Sequence, residues 1–470
     1  MDRSFALRKQ QMLEQCQVRP EWVARLPAEL SRFLDPFAAQ LSNAEQRRHA
    51  LQFCEGLLSN MNRKNTEAIA YEHDQDRYNL QHFMGGSTWD HGPLIDELCR
   101  QVGQRLGEPD GVLVIDPSGF PKQGSQSVGV AQQWCGRSGK VTHCQVGIFL
   151  AYVSRREHVL CDFRLYLPEE WAKDRKRRER AGVPRTVKFQ TRHTQALEMI
   201  VSRGKMLPHA WITADDEFGK VGHFRQDLHD LGEHYVLAIP SNITARVLDD
   251  EEIPRCGPGG PVARPFVSVK SLRAQLPDTA WQRIDVRDGE KGPLHVHVAV
   301  VPHVQTKSDR RFLKHPEVLL FTRYQDDSGV RHDDTYLSNA AAGTPAAEFA
   351  RVISAERRVE EAIRRAKSEA GLADYQVRTW IGWHHHQTLS LIAIWFLLCE
   401  MLQGRQSTPA LTVPQVRQMI ARTLQRQWDL LHPEAIANST THQLERNETS
   451  RFYHYKKRKR LPPLRPEQRR

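Results

Sequence analysis

Two short apolar runs, each leading directly into an aspartate, constrain this chain more than any other feature. Val112-Leu113-Val114-Ile115 has the length and β-branching of a buried strand and ends on Asp116. Ala210-Trp211-Ile212-Thr213-Ala214 is a second such run and ends on Asp215. A carboxylate at the end of a strand is held rigidly at the edge of a sheet.

The segments around these runs set an order of elements. Alternating apolar positions predict a strand from Val141 to Val153. The texture repeats from His158 to Leu167 after the turn Ser154-Arg155-Arg156-Glu157, so the first three strands make an antiparallel meander. Thr191 to Arg203 is helical, carrying Leu197, Ile200 and Val201. The Asp215 strand follows, then a helix from His223 to Leu231 and a strand from Tyr235 to Ile239. Three strands, helix, strand, helix, strand, with acids closing the first and fourth strands, is the element order of an α/β, RNase H-like mixed sheet with flanking helices.

Outside that block the texture changes. Residues 20 to about 100 are helical, with Leu51, Cys54, Leu57 and Leu58 on one face. Residues 241 to about 340 are rich in Pro and Gly near 254 to 265 and then alternate as strands, as in Leu294-His295-Val296-His297-Val298-Ala299-Val300. Pro345 to Ala370 is a charged helix, with Thr344 as N-cap and Val352, Val359, Ile363 and Ala366 spaced to face a core.

Length and charge bound the possible partners. A chain of 470 residues exceeds what one hydrophobic core usually organises. Its 67 Lys+Arg against 56 Asp+Glu leave a net +11, which concentrates polyanions around the protein and makes nucleic acid the leading partner. The eight cysteines are scattered without a C-x-x-C pair, as expected of reduced thiols in the cytoplasm. The N-terminus lacks the apolar core of a signal peptide, and the most hydrophobic stretch, Leu389 to Leu398, is too short to span a bilayer.

Phosphodiester cleavage needs an attacking oxygen, a stabilised pentacovalent phosphate and a stabilised leaving group, and two metal ions about 4 Å apart serve all three. Mg²⁺ prefers oxygen donors and keeps some waters, so two or three carboxylates plus phosphate oxygens suffice. Asp116 and Asp215 meet that need if their strands are neighbours, which the RNase H-like order implies, and a third acid should come from a helix beside them. Glu360 is the choice, because Lys367, seven residues on, lies on the same helical face, where a lysine is expected to touch a DNA phosphate beside the metals. Glu356 and Glu361 are close alternatives.

The residues also resemble a family, the prokaryotic insertion-sequence transposases of the DDE type, in the branch with a β-rich insertion in the RNase H-like core. The matching stretches are Ser87-Thr88-Trp89-Asp90, Val114-Ile115-Asp116-Pro117-Ser118-Gly119-Phe120-Pro121-Lys122-Gln123-Gly124 and Thr213-Ala214-Asp215-Asp216-Glu217-Phe218-Gly219. Beyond them come Tyr336-Leu337-Ser338-Asn339-Ala340, Arg357-Arg358-Val359-Glu360-Glu361, Gly371-Leu372-Ala373-Asp374-Tyr375-Gln376-Val377-Arg378 and Trp383-His384-His385-His386. The resemblance implies Mg²⁺-dependent hydrolysis at transposon ends (Mn²⁺ substituting) and attack of the freed 3′-hydroxyl on target DNA. Asp116, Asp215 and Glu360 would be the metal-binding triad, in a protein that pairs the ends as a homodimer at the nucleoid. A nuclease without strand transfer, or a DNA-binding protein descended from a transposase, would share the fold. One departure stands out: the branch often carries an arginine four residues before the glutamate, where this chain has Glu356.

The expected organisation is a helical DNA-binding domain over 1–105, a first part of the catalytic core over 106–240 and a β-rich insertion over 241–343. A helical part of the core carrying the glutamate spans 344–405, and C-terminal helices with a basic, disordered tail span 406–470. Lys122, in a Gly-flanked loop, is open to two readings, a phosphate contact or a solvated lysine. The basic run holding Arg175, Lys176, Arg177 and Arg178 is expected to meet DNA backbone, with a solvated face as the alternative. Consecutive helix positions point about 100° apart, so His384 to His386 are expected on polar helix surface rather than on one metal. Trp134 is expected to pack, with base stacking as the alternative.

Overall fold

The computed structural model describes residues 3–62, 64–248, 265–289, 292–307, 315–325 and 329–458. The Pro- and Gly-rich stretch near 254 to 265 lies, except for its last residue, outside the described residues, as do Cys256 and the basic tail after Arg458. Contacts divide the chain into two compact units: 91–368 with 378–380, and 1–90 with 369–377 and 381–470.

The first unit is built on one mixed sheet with flanking helices, the RNase H-like arrangement. Its strands are β1 (Val112–Pro121), β2 (Ala131–Cys135), β3 (Lys140–Val153), β4 (His158–Leu165), β5 (Trp211–Ala214) and β6 (Tyr235–Ala238). They continue with β7 (Thr244–Val247), β8 (Val267–Ser268), β9 (Trp281–Gly289), β10 (Gly292–Thr306), β11 (Glu317–Gln325) and β12 (Arg331–Ser338). The path runs β2-β3-β1-β5-β6-β12-β11-β10-β7-β8, with β4 on β3 and β9 on β10. The expected meander is present, β1 and β4 both pairing antiparallel with β3, while β5 and β6 run parallel to β1. β2 had no strand signal of its own; it pairs with the exposed first half of β3. The strands after residue 241 extend the same sheet through β12, which pairs antiparallel with β6.

Val112 to Ile115 are at most 1% exposed, so four branched side chains contribute on the order of 1.5–3 kcal/mol each. Helices cover the sheet. Gly92–Leu106 buries Leu94, Ile95, Leu98 and Val102 and packs against β4, and Arg192–Arg203 packs against β3 and β4. Ala346–Glu369 buries Val352, Val359, Ile363 and Ala366, the stripe its spacing requires.

The second unit is helical. Pro20–Ala38, Ala44–Leu58, Thr66–Glu72 and Arg77–Gly85 come from the N-terminal part, with Cys54, Leu57 and Leu58 fully buried. Trp380–Gly404, Val413–Leu431 and Ala435–Lys457 come from the C-terminal part. By length and composition Trp380–Gly404 could cross a membrane, being 25 residues long rather than the ten of its most apolar stretch, but 89% of its apolar window is buried inside the protein. It is a core helix. The expectation that His384 to His386 lie on polar surface is overturned: all three are at most 5% exposed. Partners explain it. His385 stacks on Trp89 with centroids 3.5 Å apart, its ring nitrogens 3.1 and 2.9 Å from the Met84 and Trp89 carbonyls, and His386 Nε2 lies 2.9 Å from the Gly371 carbonyl. Buried imidazoles need such acceptors, and they point in different directions rather than to a common centre.

Candidate active site

The parallel register of β1 and β5 aligns Ile115 with Ala214, so Asp116 and Asp215 are the next residues on adjacent strands. The two carboxylates therefore leave the sheet side by side. β5 stops at Ala214, and Asp215 caps the short helix Asp216–Gly219, its carboxylate accepting the Glu217 N–H at 3.1 Å. Gly219 is required there: a Cβ at that position would lie 1.8 Å from the Ala238 carbonyl oxygen of β6. β1 continues past Asp116 to Pro121, so this aspartate is braced on both sides.

The helix Ala346–Glu369 supplies the remaining acids. Glu360 is exposed and Glu356, one turn earlier on the same face, is half-buried. Lys367 Nζ donates to Ser118 Oγ at 2.8 Å and lies 4.8 Å from the centre of the Phe120 ring. This contact ties the end of the helix to β1, two residues from Asp116. Glu217 is held by Arg192 at 2.7 Å.

The charges are poorly balanced. Burial, then the neighbouring Asp215 and Glu360 carboxylates, push the Asp116 carboxyl well above the usual range against the pull of Lys367. Burial, Glu217 and Asp216 raise Asp215 to about 6, opposed by the backbone N–H groups of Phe218 and Glu217. Glu356 is pushed well above the carboxylate range by burial and by Asp215, Asp116, Asp334 and Glu360. The sequence marks Glu356 only as an alternative to Glu360 and does not mark Asp333 or Asp334, which also line the cleft. The helical offset of four from Glu360 was the signal for Glu356; the two aspartates arrive only through the β12 pairing with β6.

An open cleft of about 440 Å³ is lined by Asp215, Asp216, Asp334, Glu356, Glu360 and Tyr336. Among the described residues no three acidic, His or Cys side chains close around a single point. Adjacent aspartates fit Mg²⁺ nonetheless, because that ion takes one or two carboxylates and completes its shell with water and phosphate oxygens. Uncompensated negative charge in a cleft is what a divalent cation would neutralise.

The basic candidates separate in space. Arg175 and Lys176 are exposed on the short helix Arg175–Arg180, where Arg175 pairs with Glu179 at 2.9 Å. Arg177 and Arg178 turn inward. Arg177 donates to the Ser125 and Val130 carbonyls at 2.7 and 3.0 Å over the Trp171 ring, and Arg178 to the Pro184 and Val187 carbonyls at 2.9 and 2.7 Å. Lys122 is half-buried just beyond β1, and desolvation lowers its amine to about 8.

A family model described as DDE superfamily endonuclease matches residues 36–293. That is more than half of the chain, and it includes Asp116 and Asp215 but ends before Glu360. A protein named "Probable transposase for insertion sequence element IS701", from Microchaete diplosiphon, is 28% identical over 201 residues, 42% of this chain and 50% of that protein. The chain thus matches about half the length of this relative. On the extent of the family match, the chain belongs to the DDE superfamily of endonucleases.

Proposed function

We propose that this chain is an insertion-sequence transposase that cleaves DNA at transposon ends by Mg²⁺-dependent hydrolysis and joins the freed 3′-hydroxyl to target DNA. The observation that carries this reading is the Asp116–Asp215 pair on adjacent parallel strands, with Asp215 lining a cleft that Glu360 also lines. The likeness to a protein named a probable insertion-sequence transposase supports the DNA substrate.

Asp116, Asp215 and Glu360 would hold Mg²⁺, with Mn²⁺ as substitute. Two such ions supply an activated attacking oxygen and stabilise the leaving 3′-oxygen. The chain's own residues do the rest. The sheet fixes the aspartates in relation to one another, and the Glu217 N–H bond holds the Asp215 carboxylate in place at the cleft. Lys367, anchored on Ser118, offers its charge to a phosphate next to the scissile bond. Arg175 and Lys176 grip the DNA backbone, and Lys122 approaches a phosphate past β1; Arg177 and Arg178 act indirectly by holding the carbonyls of Ser125 and Val130 and of Pro184 and Val187.

The organisation proposed is a DNA-binding helical region over 1–105, a catalytic core over 106–240 and 344–405, an insertion over 241–343 and a C-terminal region over 406–470. A homodimer pairs the transposon ends at the nucleoid. The test is incubation of the purified protein with labelled DNA ends flanking its gene and Mg²⁺, beside Asp116→Ala. Cleavage by wild type alone, with joined products, supports the proposal. Cleavage without joining reduces it to a nuclease, and equal cleavage by both proteins removes the triad.

A further inference from the structure

We infer that the β2–β3 hairpin is a second DNA contact, in which the Trp134 indole stacks on an unpaired base about eight base pairs from the scissile phosphate. This rests on the proposed action on DNA and adds a residue to it.

The argument begins with register. In an antiparallel pair, directly opposed residues put their side chains on the same face, and the face repeats every second residue. Asp116 opposes Phe149, Ser118 opposes Gly147 and Phe120 opposes Gln145. Gln132 opposes His143 and Trp134 opposes Val141. Asp116, Ser118, Phe120, Gln132 and Trp134 therefore lie on one face of the sheet, as the Phe120–Phe149 ring contact at 6.1 Å bears out. The opposite face carries Cys135, Cys144 and Val146, which pack together.

The row changes character along its length. Near Asp116 the helix bearing Glu360 covers it, ending with Lys367 over Phe120. Beyond that point it is open: Gln132 is exposed, Val141 is 60% exposed and Trp134 is 62% exposed. An indole is a costly group to leave in water, and two large apolar side chains opposed at the end of a hairpin do not serve the core. Among the described residues the Trp134 indole makes no hydrogen bond or ring contact, while Gln132 and His143 next to it are paired at 3.3 Å. The neighbouring Lys140 is exposed and basic.

The eight steps from Phe149 to Val141 span about 27 Å at ~3.4 Å per residue. Duplex DNA rises by ~3.4 Å per base pair, so DNA following this row from the carboxylates reaches the indole after about eight pairs. An aromatic face binds any unpaired base by stacking, without reading its identity. A fully paired duplex offers no such face along its length, and that difference provides the test.

Binding is measured without divalent cations, using the full chain and fluorescein-labelled DNA, either a fully paired duplex or the same duplex opened into an oligothymidine fork. Trp134→Ala should bind the fork roughly tenfold more weakly than wild type, with Trp134→Phe retaining most of the affinity. Both variants should match wild type on paired duplex and in thermal unfolding, since the side chain is exposed. Equal affinity of Trp134→Ala and wild type on both DNAs overturns the inference. Equal loss on both assigns the contact to backbone or groove and removes the stacking. If wild type binds neither DNA, the proposed function falls as well; if it binds and cleaves while Trp134→Ala is indistinguishable from it, only this inference falls.

Discussion

Two groups of buried charge in the sheet-containing unit are built in opposite ways. Arg225, 0% exposed, pairs with Glu317, 1% exposed, at 2.8 Å, and Glu317 also accepts from the Tyr235 hydroxyl at 2.7 Å, while Arg225 donates to the Gly219 carbonyl. Every charge there has a partner. Around the cleft, burial and neighbouring carboxylates raise Asp116, Asp215 and Glu356 together, and Lys367 opposes the shift of Asp116. The first arrangement joins helix Gly222–Asp230 to β11 and β6, and the second keeps like charges together at a cost. Compensated burial is architecture, and uncompensated burial marks a place prepared for a ligand.

The largest expected effect is on chemistry. Asp116→Asn should lower Mg²⁺-dependent DNA cleavage by about 10³-fold or more, several kcal/mol of metal-assisted stabilisation, while the unfolding midpoint without metal stays level or rises. A midpoint several degrees lower would mean that the cleft acids are structural after all, and the contrast would collapse. Next in size, Glu317→Ala should destabilise the protein by about 3–5 kcal/mol in denaturant titrations, because Arg225 is left buried and unpaired. The double replacement Arg225→Met with Glu317→Leu should recover most of that loss. A single replacement costing under about 1 kcal/mol would remove the ion pair from the architecture.

A carboxylate of the helical unit, Glu55, sharpens the contrast. Desolvation alone raises Glu55 to about 7, and His73, 3.5 Å away, is lowered to about 4 by its own burial. A carboxyl that holds its proton more tightly when folded stabilises the fold at acid pH and loses that contribution as pH rises. For Glu55 the loss runs from the ordinary value of 4.5 to about 7. Glu55→Gln should flatten the fall in unfolding midpoint across that window and raise the midpoint at pH 8; an unchanged slope would locate the pH dependence elsewhere. The smallest effect belongs to the exposed cations. Lys176→Ala should leave the unfolding midpoint unchanged and reduce the salt slope of DNA binding by roughly one. Arg177→Ala, which frees the Ser125 and Val130 carbonyls, should lower the midpoint instead. Equal behaviour of the two variants would erase the distinction drawn between outward and inward arginines.

Much of this was legible in the chain itself. The runs before Asp116 and Asp215 are apolar at nearly every position, so they identified themselves as buried strands, and the order of elements gave the RNase H-like sheet. The stripe Val352, Val359, Ile363, Ala366 marked the helix bearing Glu360. Local pattern determines these because burial of a strand or a helix face imposes a period on the sequence. What lay beyond it depended on pairing. β2 is short and half exposed, so its period was too weak to see, and Trp134 came to lie in solvent on the face of the carboxylates only through its register with β3. The histidines His384 to His386 looked polar, yet carbonyls distant in sequence made them interior. Asp116 and Asp215 were placed after strands by local pattern and on neighbouring strands by the order of elements; that β1 runs on past Asp116, and that Glu356 joins the two, was decided by strand pairing and by a helix laid across the sheet, since contacts between residues far apart in sequence leave no local period to read.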